Sequence, residues 1–241
     1  MSKFFGYDID YDLAIEVFTW QHYVFIALAF LTVILTLKYA DKLYNFKHKS
    51  VLNKTVFIIL IILESTYHIH NWFRNQFSIP LHLCSFSIIL SILLVKTRDK
   101  KYFDLLFFVG PLGGIVALIF PDMGGFTYYS FRYYHFIIAH LFIISVPLYY
   151  YKAHGMRVNL RSLKKTYLFL LIMAPIVFTV NRTFDMNYIF INRKPNLEIV
   201  ANNIPEWPYY IIVFIVGVLI FHTVLYKLSN HSRFNKEARR V

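Results

Sequence analysis

The sequence predicts an all-α, polytopic membrane protein with seven transmembrane helices, its N-terminus outside and its C-terminus in the cytoplasm. Three observations carry this. The chain of 241 residues is 58% hydrophobic, with a mean hydropathy of +0.51, too apolar for an ordinary soluble domain. The apolar residues fall into separate runs of roughly the ~20 residues needed to cross a ~30 Å hydrocarbon core. Basic residues crowd into alternate connections between those runs.

The spans are expected near His22–Ala40, Thr55–Phe73, Pro80–Val95, Phe103–Phe120, Tyr133–Tyr151, Tyr167–Thr183 and Pro208–Leu228. Together they form a single membrane domain over residues 1–241, with no internal repeat and no low-complexity linker. The third span is short. The fourth contains "GPLGG", where Pro111 among Gly110, Gly113 and Gly114 is expected to kink or break the helix and to let a neighbour approach closely. The aromatic content of 20%, including the run "FTYYSFRYYHF", fits rings settling at membrane interfaces. The N-terminal stretch is acidic, with no basic segment ahead of an apolar core, and does not read as a signal peptide.

Charge sets the expected orientation. The net charge of +12 would suggest nucleic acid in a soluble protein, but these basic residues lie in short loops beside apolar runs. They follow the first, third, fifth and seventh spans. On the other side stand only Lys3, Arg74, Arg132, Arg182, Arg193 and Lys194, out of 25 lysines and arginines. The positive-inside rule places that second side away from the cytoplasm.

Polar residues within the spans gather toward the outer side. Glu64 and His68 are four apart on the second span and share a face that Asn71 continues. His82 and Cys84 open the third span. Arg132, His135 and His140 run into the fifth, and Asn181, Arg182, Asp185 and Asn187 stand at the end of the sixth. Ionisable groups inside a membrane are expensive and point to function, although Glu64–His68 also reads as a structural stitch. The three arginines read as snorkelling to headgroups, and His222, apart from the cluster, as structural. At ~1.5 Å per residue, Cys84 is expected ~6 Å below Pro80 and His140 ~10 Å below Tyr133.

Cys84 is the only cysteine, which excludes an intrachain disulfide and any multi-cysteine metal site. His82 is a poor partner for it if both lie in one helix, because residues two apart point away from each other. A base is then expected from another helix, with His135 and His140 as candidates. If Pro80 opens the helix, Cys84 sits in its first turn, where the positive end of the dipole favours a thiolate. Ser87, Ile88 and Ser91 extend its face as a narrow polar seam, suited to packing or to a cavity wall. A thiolate beside a histidine is the minimum for acyl transfer through a thioester, and a small buried cysteine is equally ordinary packing.

The stretches "IPLHLCSFSIIL", "FRYYHFIIAHLFI", "NYIFINRKP" and "EWPYYIIVF", in this order and spacing from about Phe18 to about Lys227, resemble the YwaF family, also the family of transmembrane protein 164. The resemblance implies a polytopic fold. For the eukaryotic member it implies a lipid acyltransferase that moves acyl groups between phospholipids with a cysteine and a histidine. By motif position these fall on Cys84 and on His140, with His135 in the same stretch. Bacterial-type members, which this short chain is more similar to, are described as integral membrane proteins. Glu64, His68, His82, Arg132, His135, Asn181 and Asn187 are then expected to support the site or bind substrate. The expected partners are membrane phospholipids or lysolipids, the expected location is the cell membrane, and no nucleic acid, metal or cofactor is expected. Competing readings are a small-solute or ion transporter and a non-catalytic membrane scaffold, both drawing on the same polar cluster.

Overall fold

The computed structural model describes residues 4–5, 18–123, 125–195 and 197–231. Lys3, the acidic stretch 6–17 and the basic residues of the tail beyond His231 lie outside the described residues. The described residues form helices and connections, with no strand among them. The helices are α1 (Trp20–Tyr44), α2 (Lys49–Phe73), α3 (Leu83–Thr97), α4 (Lys100–Ile119), α5 (Phe131–Ala153), α6 (Leu160–Phe184), a short α7 (Glu198–Asn203) and α8 (Tyr209–Asn230), with a 3-10 turn at Tyr188–Phe190. Six of these are long and apolar enough to cross a membrane, and α3 is a shorter apolar helix of 15 residues. Each expected span therefore has a helix over it. The sequence signals for α7 and the 3-10 turn were absent, because both belong to a loop held by side-chain bonds.

The connections that carry most of the basic residues meet at one end. Tyr44 and His154 rings stand 5.0 Å apart, and Tyr151 donates to the Ser229 carbonyl at 2.8 Å. At this end Asp99 caps α4, accepting from the Lys101 N–H at 2.9 Å. That hydrogen bond holds the Asp99 carboxyl below its usual value. Asn159 and Ser162 form a reciprocal capping box on α6.

Helix α4 is the hub, packing against α1, α3, α5, α6 and α8. Pro111 does not break it: α4 runs unbroken from Lys100 to Ile119. The expected close approach does occur. A Cβ on Gly110 would lie 2.5 Å from the Ile143 carbonyl oxygen, and one on Gly114 would lie 2.5 Å from Ile144 Cγ1 and 2.9 Å from the His140 carbonyl oxygen. These two glycines let α5 sit directly on α4, which fixes the height of His140. Phe103, Phe107, Phe108, Leu106, Ile143 and Ile144 fill the surrounding core. By contrast α1, α2, α6 and α8 present large apolar residues outward, such as Phe30, Ile62, Leu171 and Ile220. That distribution is expected of helices facing lipid.

A second tie joins α4 to α6. Asp104 is buried; it accepts from Ser162 Oγ at 2.8 Å and pairs with Lys100, with Lys165 3.9 Å away. Its position at the first turn of α6 also opposes the positive end of that helix. The two lysines are half-exposed and can turn to water, so much of their share is screened. Asp104→Ala is expected to destabilise the fold by about 1–3 kcal/mol, chiefly through the lost bond from Ser162 Oγ to the buried Asp104 carboxylate that ties α6 to α4. A fall in the melting temperature of the purified protein checks this.

Candidate functional site

The site begins with a length mismatch. Helix α3 has 15 residues and spans about 22 Å, short of a ~30 Å core. The chain between α2 and α3 makes up the difference by folding back into the bundle. Ser78, only 3% exposed, lies against two α2 side chains: His68 Nδ1 is 2.8 Å from its Oγ, and Asn71 Nδ2 donates to that Oγ at 3.1 Å. His68 stands five residues before the end of α2, so the returning chain descends roughly 7 Å beside it.

Non-helical backbone at membrane depth persists only where its polar groups are satisfied within the protein. Here they are. Trp72 Nε1 donates to the Ser78 carbonyl at 2.9 Å, the Ile79 N–H donates to the Tyr188 hydroxyl at 3.0 Å, and the Gln76 N–H donates to the Asn71 carbonyl at 3.0 Å.

Pro80 does not open α3. The helix starts at Leu83, and His82 is its N-cap with extended backbone (φ −69°, ψ 147°). The helical-face argument against His82 therefore does not apply, because His82 is not in the helix. Its ring packs edge-on to Tyr188 at 4.9 Å and lies within electrostatic range of His68, Arg132 and His140. Cys84 becomes the second residue of α3, and the backbone N–H groups of Cys84 and Ser85 lie against its sulfur. The thiol is within electrostatic range of Glu64 and Arg132. Glu64 lies nine residues before the end of α2, about 13 Å along the axis. Cys84 is therefore deeper than the sequence estimate, because the helix begins after the chain has already descended.

Three helices converge on this level. From α2, Glu64 Oε1 meets His68 Nε2 at 2.9 Å, so the His68 ring is bonded at both nitrogens. From α5, His135 Nε2 donates to the Leu63 carbonyl at 2.7 Å and clamps α5 to α2. His140 Nδ1 donates to the Phe136 carbonyl one turn back at 2.6 Å. In the neutral ring that bond leaves the lone pair on Nε2, which has no hydrogen-bond partner among the described residues. No hydrogen bond joins His140 to Cys84. Their helices α3 and α5 pack together, and the Leu83 and Ile143 side chains both reach Gly113 of α4. Arg132 does not extend outward: its guanidinium lies 4.2 Å from the centre of the Tyr67 ring.

Asn181 and Asn187 are committed elsewhere. Asn181 Nδ2 donates to the Tyr188 carbonyl and to Asn192 Oδ1, and its Oδ1 accepts from the Tyr188 N–H. Asn187 closes a loop by exchanging bonds with the Arg193 backbone. Both organise the loop that lays Tyr188 over His82. The α3 seam is packing rather than a cavity wall: Ser87 and Ser91 are fully buried and donate to their own helix, to the Leu83 and Ser87 carbonyls. His222 is buried between the Phe108 and Tyr167 rings, away from the cluster.

Three residues of the site have no clear sequence signal. Tyr67, one of many interfacial-looking tyrosines, lies under Arg132 and within electrostatic range of Cys84. Ser78 and Tyr188 lie outside every apolar run, and only the descent of the chain brings them in. Tyr67 alone was accessible in principle, three residues after Glu64 and so on the same helix face.

An all-helical bundle with six long apolar helices, polar groups held inside it and apolar residues outside it, defines a multi-pass integral membrane protein. The chain matches the model of the TMEM164 family over residues 17–226, and it belongs to that family. No curated protein and no solved structure matches it.

Proposed function

We propose that the protein is a seven-span lipid acyltransferase or acyl hydrolase of the cell membrane, with its N-terminus outside, working through a thioester on Cys84 with His140 as base. The observation that carries this reading is the position of the thiol. Cys84 stands in the first turn of a helix with backbone N–H groups at its sulfur, inside a polar layer built by α2, α3 and α5. Family membership supports it, since the eukaryotic relatives are expected to use a cysteine and a histidine. His140 is favoured over His135 because its Nε2 is open, whereas His135 bonds α5 to the α2 backbone. The basic loops at one end support an orientation with the polar layer in the half of the bilayer away from the cytoplasm.

The steps balance without a cofactor. His140 Nε2 accepts the Cys84 proton, and the thiolate adds to an ester carbonyl of a donor phospholipid. The oxyanion is stabilised by free N–H groups at the start of α3. Collapse breaks the ester C–O bond, and the imidazolium returns its proton to the departing lysolipid oxygen. A hydroxyl from a second lysolipid, or from water, then loses its proton to His140 and attacks the thioester. The thiolate leaves and is reprotonated. Glu64–His68 holds the re-entrant chain through Ser78 and so positions the start of α3. Because α4 is the buried hub, lateral entry is assigned to the gaps between peripheral helices.

The test is acyl exchange by the purified protein, using a phospholipid with an isotope-labelled acyl chain and an unlabelled lysolipid. Label arriving in new phospholipid indicates transfer, and label in free fatty acid indicates hydrolysis. No label moving to either would refute the enzyme reading and leave transport or scaffolding.

A further inference from the structure

Arg132 is a cation in an unfavourable place. It is the second residue of α5, where the helix dipole repels positive charge. It does not turn outward to escape. Its guanidinium lies on the Tyr67 ring and 5.6 Å from the centre of the Phe126 ring, and its Nη1 is buried without a hydrogen-bond partner. Stacking on aromatic faces recovers part of the desolvation but supplies no counter-charge. No carboxylate pairs with Arg132 among the described residues. Glu64, the only acid of α2, is occupied by His68. Arg74 adds a second positive charge beside it, 4.8 Å from the same Phe126 ring.

A half-buried guanidinium with one buried, open donor and no paired acid fits an anion that arrives with a ligand. We propose that Arg132 binds the phosphodiester of a membrane phospholipid headgroup, with Arg74 adding to the field. The chemistry follows from depth. Arg132 stands at the mouth of the polar layer, in the first turn of α5, while Cys84 lies further in and within its electrostatic range. In a glycerophospholipid the phosphodiester and the acyl esters hang from one glycerol, so an anchored phosphate leaves the esters on the inner side, toward the thiol. The consequence for acyl transfer rests on the function proposed above; the binding itself does not.

The probes are phosphatidylethanolamine, the diacylglycerol with the same chains, and glycerophosphoethanolamine, each added to delipidated full-length protein in detergent. Thermal shifts titrated against ligand give the affinities. Wild type and Cys84→Ser are expected to be stabilised by phosphatidylethanolamine and not by diacylglycerol. Arg132→Gln is expected to bind the phospholipid about tenfold or more weakly, and Arg132→Lys to keep part of the affinity. Without lipid, Arg132→Gln should melt no lower than wild type, because it removes an uncompensated charge; this separates lost binding from misfolding. Equal stabilisation by diacylglycerol and phospholipid would overturn the proposal. So would undiminished phospholipid binding by Arg132→Gln, and glycerophosphoethanolamine binding as tightly as the intact lipid would replace the lipid with a free phosphate ester. Lipid binding that depends on Arg132 without any acyl exchange would refute the reaction alone.

Discussion

Cys84→Ser is expected to lower acyl exchange by about three orders of magnitude or more while leaving the melting temperature nearly unchanged. The hydroxyl is close in size to the thiol but far less acidic, so the nucleophile is lost and the packing is not. His140→Ala should produce a loss of similar size, because a paired nucleophile and base act as a unit. His135→Ala should behave differently. It removes the bond from α5 to the Leu63 carbonyl and is expected to lower stability by about 1 kcal/mol, with a smaller effect on rate. Labelled-chain transfer, measured beside thermal melts on the four proteins, checks the pattern. Wild-type rates in the Cys84→Ser protein would remove the thioester.

The second large effect is expected at a residue that touches no substrate. Gly114→Ala puts a methyl group 2.5 Å from Ile144 Cγ1 and 2.9 Å from the His140 carbonyl oxygen. The Ile144 side chain is fully buried in the core, and the His140 backbone can move only if α5 moves. Overpacking of this kind costs about 1–3 kcal/mol. It also displaces His140 from the level of Cys84, so activity should fall further than stability does. Gly113→Ala is the built-in control: its nearest new contacts, to Ile143 and Leu83, are at 3.9 Å, and it should be nearly silent. Gly217→Ala, with nothing within 4 Å, should be silent as well. Melting temperature and exchange rate measured together decide the matter. Equal tolerance at Gly113 and Gly114 would mean that α5 does not rest on α4 as described.

The spans were legible because hydropathy and charge act over whole helices, where single residues matter little. Most boundaries agree to within about four residues, but α2 and α6 begin at Lys49 and Leu160, ahead of the expected Thr55 and Tyr167, and α3 begins at Leu83 rather than Pro80. That small shift had a large consequence. It took His82 out of the helix, removed the facing argument built on it, and placed Cys84 deeper. Depth counted from the end of an apolar run assumes that the chain enters at the membrane surface, whereas residues 74–82 descend first. The GPLGG stretch shows a similar limit. Its glycines gave the close approach correctly, but Pro111 sits within an unbroken α4. Asn181 and Asn187 were visible as polar residues near a helix end. That both are used to fold their own loop was not, because it depends on Tyr188 and Arg193 returning to meet them.

The most direct measurement is intact mass spectrometry of the purified protein after incubation with a phospholipid of defined acyl chain, followed by localisation of any adduct. The account predicts an added mass of one acyl group on the peptide containing Cys84, released by neutral hydroxylamine and absent from Cys84→Ser. An unmodified Cys84 in a preparation that exchanges acyl chains, or an acyl group found on another residue, would contradict it.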